Sequence, residues 1–148
     1  MSYVRIPAER FQRWVEVLGC VEEYSRRLRE RLGRVAVILH GSYARGDFNL
    51  WSDVDLIIVS EAFRGVRPLD RYDLLPKQPP LVEPILLTPS EFLEKLRKRS
   101  WVQMLMRGAV IVADDYGLRE ELSRVGTETH TLEEALRRVY ELRAKYSK

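Results

Sequence analysis

The chain has 148 residues, 45% hydrophobic and 32% charged, with a formal net charge of +3 and a pI near 9.1. This apolar content excludes the disordered class, and the length predicts one compact domain over 1–148. The single cysteine, Cys20, excludes an internal disulfide and a cysteine-based zinc cluster, and with His40 and His130 as the only histidines any bound metal must rely on oxygen ligands. Cys20 itself is expected as a small buried residue. No apolar run approaches the roughly 20 residues that span a bilayer, and Met1-Ser2-Tyr3-Val4-Arg5 lacks an apolar signal-peptide core, so no membrane segment and a cytoplasmic location are expected.

In chain order, Pro7 opens a helix in which Phe11, Trp14, Leu18, Val21, Tyr24, Leu28 and Leu32 recur at helical spacing, and Gly33 stops it. Arg26, Arg27, Arg29, Arg31 and Arg34 crowd its end, where cations suit the helix dipole; a solvated face and a nucleic-acid patch are both readings of that run. Val35–Leu39 is a buried-strand pattern, and the two glycines of Gly41-Ser42-Tyr43-Ala44-Arg45-Gly46-Asp47 then punctuate the chain as a turn. Asp53–Val59 reads as a second strand with alternate carboxylates at its near end. Residues 60–80 form a functional surface loop with one short helix around Leu69–Leu75.

Leu81–Leu87 is a third strand, in which Pro84 cannot donate to a ladder and so points to an edge or bulge. Thr88-Pro89-Ser90-Glu91 joins a capping box to a proline at the first helical position, predicting a helix to about Arg107 that Gly108 ends. Val110–Val112 is a fourth strand, Asp114-Asp115 begins a turn, and Thr131-Leu132-Glu133-Glu134 caps a C-terminal helix. The fold class is α/β (α+β): a mixed sheet of about four strands flanked by helices.

Strand residues two apart share a face, so Asp53 and Asp55, with α-carbons about 6–7 Å apart, can aim both carboxylates at one point. Two anions so placed call for a cation, and a pair of Mg²⁺ ions about 3.5–4 Å apart suits in-line phosphoryl transfer. Alone, Asp-x-Asp also reads as a solvated strand start. Gly41-Ser42 adds a position where the backbone can approach a phosphate closely, with a serine hydroxyl and amides to donate hydrogen bonds.

Gly41-Ser42-Tyr43-Ala44-Arg45-Gly46-Asp47, a short spacer, and Ser52-Asp53-Val54-Asp55-Leu56-Ile57-Ile58-Val59 together resemble the minimal nucleotidyltransferases of the DNA polymerase beta superfamily. The resemblance is tight over 35–59, extends through the capped segment to Phe92, and makes 35–92 the motif core. It implies a Mg²⁺-dependent transfer of a nucleoside monophosphate, AMP from ATP, to an acceptor hydroxyl. Gly41, Ser42 and Arg45 are then the triphosphate-binding residues, and Asp53 and Asp55 the ligands of two metal ions. The third carboxylate, usually Asp on the next strand, falls on Glu83, in an otherwise apolar strand where an unpaired charge would be costly; Glu is one methylene longer than Asp and Pro84 follows it, so a strand-edge Glu facing water is the other reading.

Small members often pair with a HEPN-type helical protein as a toxin–antitoxin system and adenylylate it, whereas relatives modify transfer RNA or small hydroxylated drugs; a partner-protein acceptor is preferred here. Two other classes stay open: a module that binds nucleotide or a partner without transfer, and a nucleic-acid binder using the arginine-rich helix ends. His40 is read as a packed strand-end histidine with phosphate contact as the alternative. Asp47 is assigned to an Asx turn. Tyr43, Phe48 and Trp51 either anchor the loop or stack on a base.

Overall fold

The computed structural model describes residues 8–146, so the opening of the first helix by Pro7 lies outside the described residues. Helix α1 (Ala8–Leu32) buries Trp14, Val17, Leu18, Val21, Tyr24 and Leu28, a stripe at three- and four-residue spacing that fixes which side meets the sheet. Gly33, at φ 80°, takes the left-handed conformation that closes the helix, and its N–H donates to the Arg29 carbonyl at 2.9 Å. Cys20 falls on the opposite side and is exposed, which corrects its expected burial.

The sheet follows from strands β1 (Ala36–His40), β2 (Val54–Val59), β3 (Val82–Leu87), β4 (Ala109–Asp114) and β5 (Thr129–Thr131), in the spatial order β3-β2-β1-β4-β5. β1 is antiparallel to both β2 and β4, while β2–β3 and β4–β5 are parallel. The expected mixed α/β sheet therefore forms with five strands rather than four; the fifth is a polar three-residue strand without an apolar run. β3 is an edge strand, as Pro84 requires, since its missing N–H is tolerated where no second neighbour needs it.

Both faces of the sheet are covered. Val35, Val37, Leu39, Val54, Leu56 and Ile58 pack against α1 and against helix α6 (Leu132–Tyr146). Ala36, Ile38, Ile57, Val59 and Leu87 point the other way, onto helices α3 (Pro89–Lys95), α4 (Arg99–Leu105) and α5 (Leu118–Arg124). The one helix expected from Thr88 to Arg107 is thus two, separated by Leu96–Lys98, with Lys98 in an extended conformation. The apolar spacing explains the break: Phe92 to Leu96 is four residues, Leu96 to Trp101 is five, and Trp101 to Leu105 is four again. Five residues turn a straight helix about 140° past a full turn at 3.6 residues per turn, so a single helix could not seat both halves on the sheet.

The expected N-terminal cap of α3 forms. Thr88 accepts from the Glu91 N–H at 3.2 Å, and Glu91 Oε1 accepts from the Thr88 N–H at 2.8 Å. Asp114, at the end of β4, accepts from the N–H groups of Leu118 and Arg119 at 2.7 and 3.0 Å and so caps α5. Asp115 accepts from the Val35 N–H at 3.0 Å and pairs with Arg29. The Asp114-Asp115 pair is therefore structural, joining the sheet to two helices.

Candidate functional site

The site is assembled where three adjacent strands line up. In the β1–β2 register His40 lies opposite Asp55, and in the β2–β3 register Asp55 lies opposite Glu83. Alternation puts all three on one face, because Ile38, Ile57 and Ile85 two residues along each strand face the α3–α5 side. Asp53, just before β2, shares that parity. The row borders a cavity of about 520 Å³, also lined by Tyr72, Gln78 and Pro84. Tyr72, whose hydroxyl donates to the Pro84 carbonyl at 3.1 Å, and Gln78 belong to no motif that singles them out, although both lie in the 60–80 segment read as a functional surface loop.

Gly41 joins β1 to helix α2 (Ser42–Arg45) at φ 75° and ψ −155°. A Cβ at this position would fall onto Oδ2 of Asp55, with Cγ at 3.3 Å, so only glycine fits between the turn and the carboxylate. The Gly41 carbonyl accepts from the N–H groups of Ala44 and Arg45, each at 3.1 Å, which folds Ser42 directly over the strand end. Gly46, at φ 94°, ends the turn with its N–H on the Ser42 carbonyl at 2.7 Å; a Cβ there would meet Trp14 at 2.5 Å. The turn is held from below by Tyr43 stacked on Phe48 at 4.3 Å, by Trp14 donating to the Tyr43 carbonyl at 2.8 Å, and by Arg10 donating to the Gly46 carbonyl at 3.0 Å.

Tyr43 and Phe48 are thus buried anchors, while Trp51 is 87% exposed. Asp47 pairs with Arg45 at 3.1 Å, and the Asx bond expected of it is made by Asn49, whose Oδ1 accepts from the Trp51 N–H at 2.9 Å. Asn49 wins because its side chain faces its own succeeding backbone, whereas Asp47 is turned toward the guanidinium.

The carboxylates repel. Burial raises the Asp55 carboxyl above its ordinary range, and the charges of Asp53 and Glu83 raise it further, with Arg45 opposing them. Glu83 is exposed, so the desolvation cost expected of it does not arise; what brings it to the site is register opposite Asp55. His40 is 6% exposed, and burial together with Arg45 pushes its imidazole down to about 4, leaving it neutral at pH 7 with Nε2 lacking a hydrogen-bond partner.

Among the described residues no three His, Cys, Asp or Glu side chains converge closely enough to hold a metal ion as they stand. The donor chemistry nevertheless suits a hard divalent cation, because mutually repelling carboxylate oxygens beside a backbone turn gain most from a cation that takes oxygen ligands. No described helix is long and apolar enough to cross a membrane.

Comparison with known proteins follows the same residues. A crystal structure from Sulfolobus solfataricus, of a protein assigned as a nucleotidyltransferase, superposes with a TM-score of 0.51 at 21% identity, over 59% of this chain and 80% of that one, which is a likeness of fold. No curated protein matches the chain significantly. The model of the nucleotidyltransferase domain matches residues 21–108, more than half of the chain and inclusive of Gly41, Ser42, Asp53, Asp55 and Glu83. By that match the chain belongs to the nucleotidyltransferase domain family.

Proposed function

We propose that the protein transfers a nucleoside monophosphate, AMP from ATP, to a hydroxyl of a macromolecular acceptor, with Asp53, Asp55 and Glu83 as the catalytic and metal-binding carboxylates. Nucleotidyl transfer is the general reaction of the family. The observation that carries the finer reading is the contact of Gly41 with Asp55, which sets a turn able to take phosphate against an acid row in register with Glu83.

In this reading Gly41 leaves the backbone open to the triphosphate, and Ser42 Oγ with the first amides of α2, orphaned by their place at a helix start, donates to its oxygens. Arg45, whose field already reaches Asp55 and His40, offsets part of the phosphate charge. Asp53, Asp55 and Glu83 would hold two Mg²⁺ ions, whose charge would offset that of the triphosphate and lower the pKa of the acceptor hydroxyl. Glu83, exposed at the cavity, accepts the hydroxyl proton as the acceptor oxygen bonds to the α-phosphorus and pyrophosphate leaves. Trp51, exposed two residues before Asp53, gives a macromolecular acceptor an apolar contact. A HEPN-type helical protein is the acceptor proposed first.

The test follows labelled ATP onto that partner with Mg²⁺ present. Asp53→Asn or Asp55→Asn is expected to lose both Mg²⁺-dependent nucleotide binding and transfer. Glu83→Gln is expected to bind nucleotide within a few-fold of wild type and to transfer about 10²-fold more slowly, the scale for removing a positioned acid–base group. Equal rates for wild type and Glu83→Gln would make Glu83 a bystander. Wild type that binds MgATP and labels neither the partner nor transfer RNA would favour a binding module.

A further inference from the structure

The charge of this chain is unevenly placed. Residues 93–108 carry five cations, Lys95, Arg97, Lys98, Arg99 and Arg107, against one carboxylate, Glu94, for a net +4. The whole chain nets +3, so the remaining residues net −1. Elsewhere many arginines face acids, as Arg26 meets Glu22, Arg64 meets Glu61, Arg71 meets Glu91, Arg119 meets Glu134 and Arg124 meets Glu121, while Arg10, Arg27, Arg31 and Arg34 donate to backbone carbonyls. Among the described residues none of the five cations of 93–108 pairs with a carboxylate; Lys95 lies 5.4 Å over the Trp101 ring. Arg97, Lys98, Arg99 and Arg107 are exposed.

The fold holds these cations together. Phe92, Leu96 and Leu105 seat α3 and α4 on the sheet, which leaves the intervening residues outward and the break at Leu96–Lys98 as a basic corner. This is the sheet face that also carries His40, Asp55 and Glu83.

We propose that the α3–α4 surface is a docking site for an RNA backbone. Charge complementarity requires a polyanion. Three of the five side chains are arginines, whose planar forks match phosphate oxygens. A bilayer surface fits less well, because α3 and α4 are seven residues each with a break between them and seat Phe92, Leu96 and Leu105 in the core, so the exposed Leu93, Met104 and Met106 form no continuous apolar helix face of the kind a membrane-lying helix needs. The inference stands apart from the transfer reading, since docking needs neither nucleotide nor metal.

The test is fluorescence anisotropy of a fluorescein-labelled 20-nucleotide single-stranded RNA with the full chain, without nucleotide or divalent cation. Five phosphate contacts predict a slope of log K against log salt of about −3.5, which is roughly a 10²-fold loss of affinity between 50 and 200 mM salt. The triple variant Arg97→Gln, Lys98→Gln, Arg99→Gln should bind more weakly and with a slope near −1.4, roughly a sevenfold loss over the same range. A second triple variant that removes the same charge elsewhere, Arg26→Gln, Arg64→Gln, Arg137→Gln, should keep the wild-type slope. All three sites of each variant are exposed, and thermal melts confirm folding. Equal loss in both triples, a wild-type slope shallower than about −1, or equal affinity for polyglutamate or phosphatidylserine vesicles would overturn the proposal.

Discussion

His40 and Asp55 face one another across two strands, and their environments push them in opposite directions. Asp55 is held above its ordinary range, so its charged form is disfavoured in the folded protein and its contribution to stability is present at low pH and lost as pH rises through its folded pKa. His40 is held down to about 4 from 6.5, so the unfolded chain takes up its proton first. Stability from the neutral imidazole is then complete above about 6.5 and is lost as pH falls toward 4, by about 3 kcal/mol over the whole window. Because the carboxyl works against the imidazole, the informative quantity is the difference between wild type and His40→Gln in urea unfolding across pH 4–7. That difference should shrink as pH falls. A gap that stays constant with pH would mean that His40 does not titrate as its burial demands. The burial of His40 agrees with its reading as a packed strand-end histidine, but its position opposite Asp55 and in the field of Arg45 depends on strand pairing that no local signal carries. Glu83 differs: its place beside Asp55 was implied by the family resemblance, and the exposure that the structure shows matches the other reading of it, a strand-edge glutamate facing water, which the edge-marking Pro84 beside it already suggested.

At the scale of elements, α3 is fixed to the sheet through one buried arginine. Arg71 is 6% exposed; it donates to the carbonyls of Val66 and Leu86 at 2.8 and 3.0 Å and forks onto Glu91 at 2.7 and 3.2 Å. That hydrogen-bonded pair, with the Thr88 contacts, holds the Glu91 carboxyl below its usual range. Removing one partner leaves the other buried without compensation, so Glu91→Ala should cost about 3–5 kcal/mol, well beyond the ~1 kcal/mol of a lost cap alone. Thr88→Ala, which removes only a capping contact, should stay near that smaller figure in the same urea titration. If the two variants unfold together, Arg71 is held by its carbonyl bonds and the ion pair contributes little. The capping box, β1, β2 and the edge position of β3 were legible because each rests on local chemistry: a threonine three residues before a glutamate, unbroken apolar runs, a proline that cannot donate. The split between α3 and α4, the seven-residue α5 and the polar β5 were not, since they depend on what the segments pack against.

On the scale of the whole molecule, the residues that match the family model do not make up the fold. Residues 21–108 contain β1, β2 and β3 with the acid row, yet they stop before β4, which pairs with β1 along its second edge. They also omit Trp14, Val17 and Leu18 of α1 and Val139 of α6 from one core, and Ile111, Leu118 and Leu122 from the other. Val21, Tyr24 and Leu28 on one face and Phe92, Leu96 and Leu105 on the other would remain, but both faces of the three-strand remnant would lose much of their cover, and β1 would become an apolar edge open to association. We therefore expect the 21–108 fragment to lack near-ultraviolet circular dichroism and to aggregate. The chain over 1–148 is proposed as a single domain, with one thermal transition seen alike by near- and far-ultraviolet signals. Its heat-capacity change should be about 2 kcal/mol/K at 12–15 cal/mol/K per residue. Core truncation at Leu18 or Leu122, one on each side of the sheet, should lower that single transition by about 2–5 kcal/mol each without splitting it, because β1 and β2 present alternate residues to both cores and neither face can melt alone. Two resolved transitions in the Leu18→Ala or Leu122→Ala variant would show that the faces unfold separately, and the acid row, anchored on strands common to both, would then be held by only one of them.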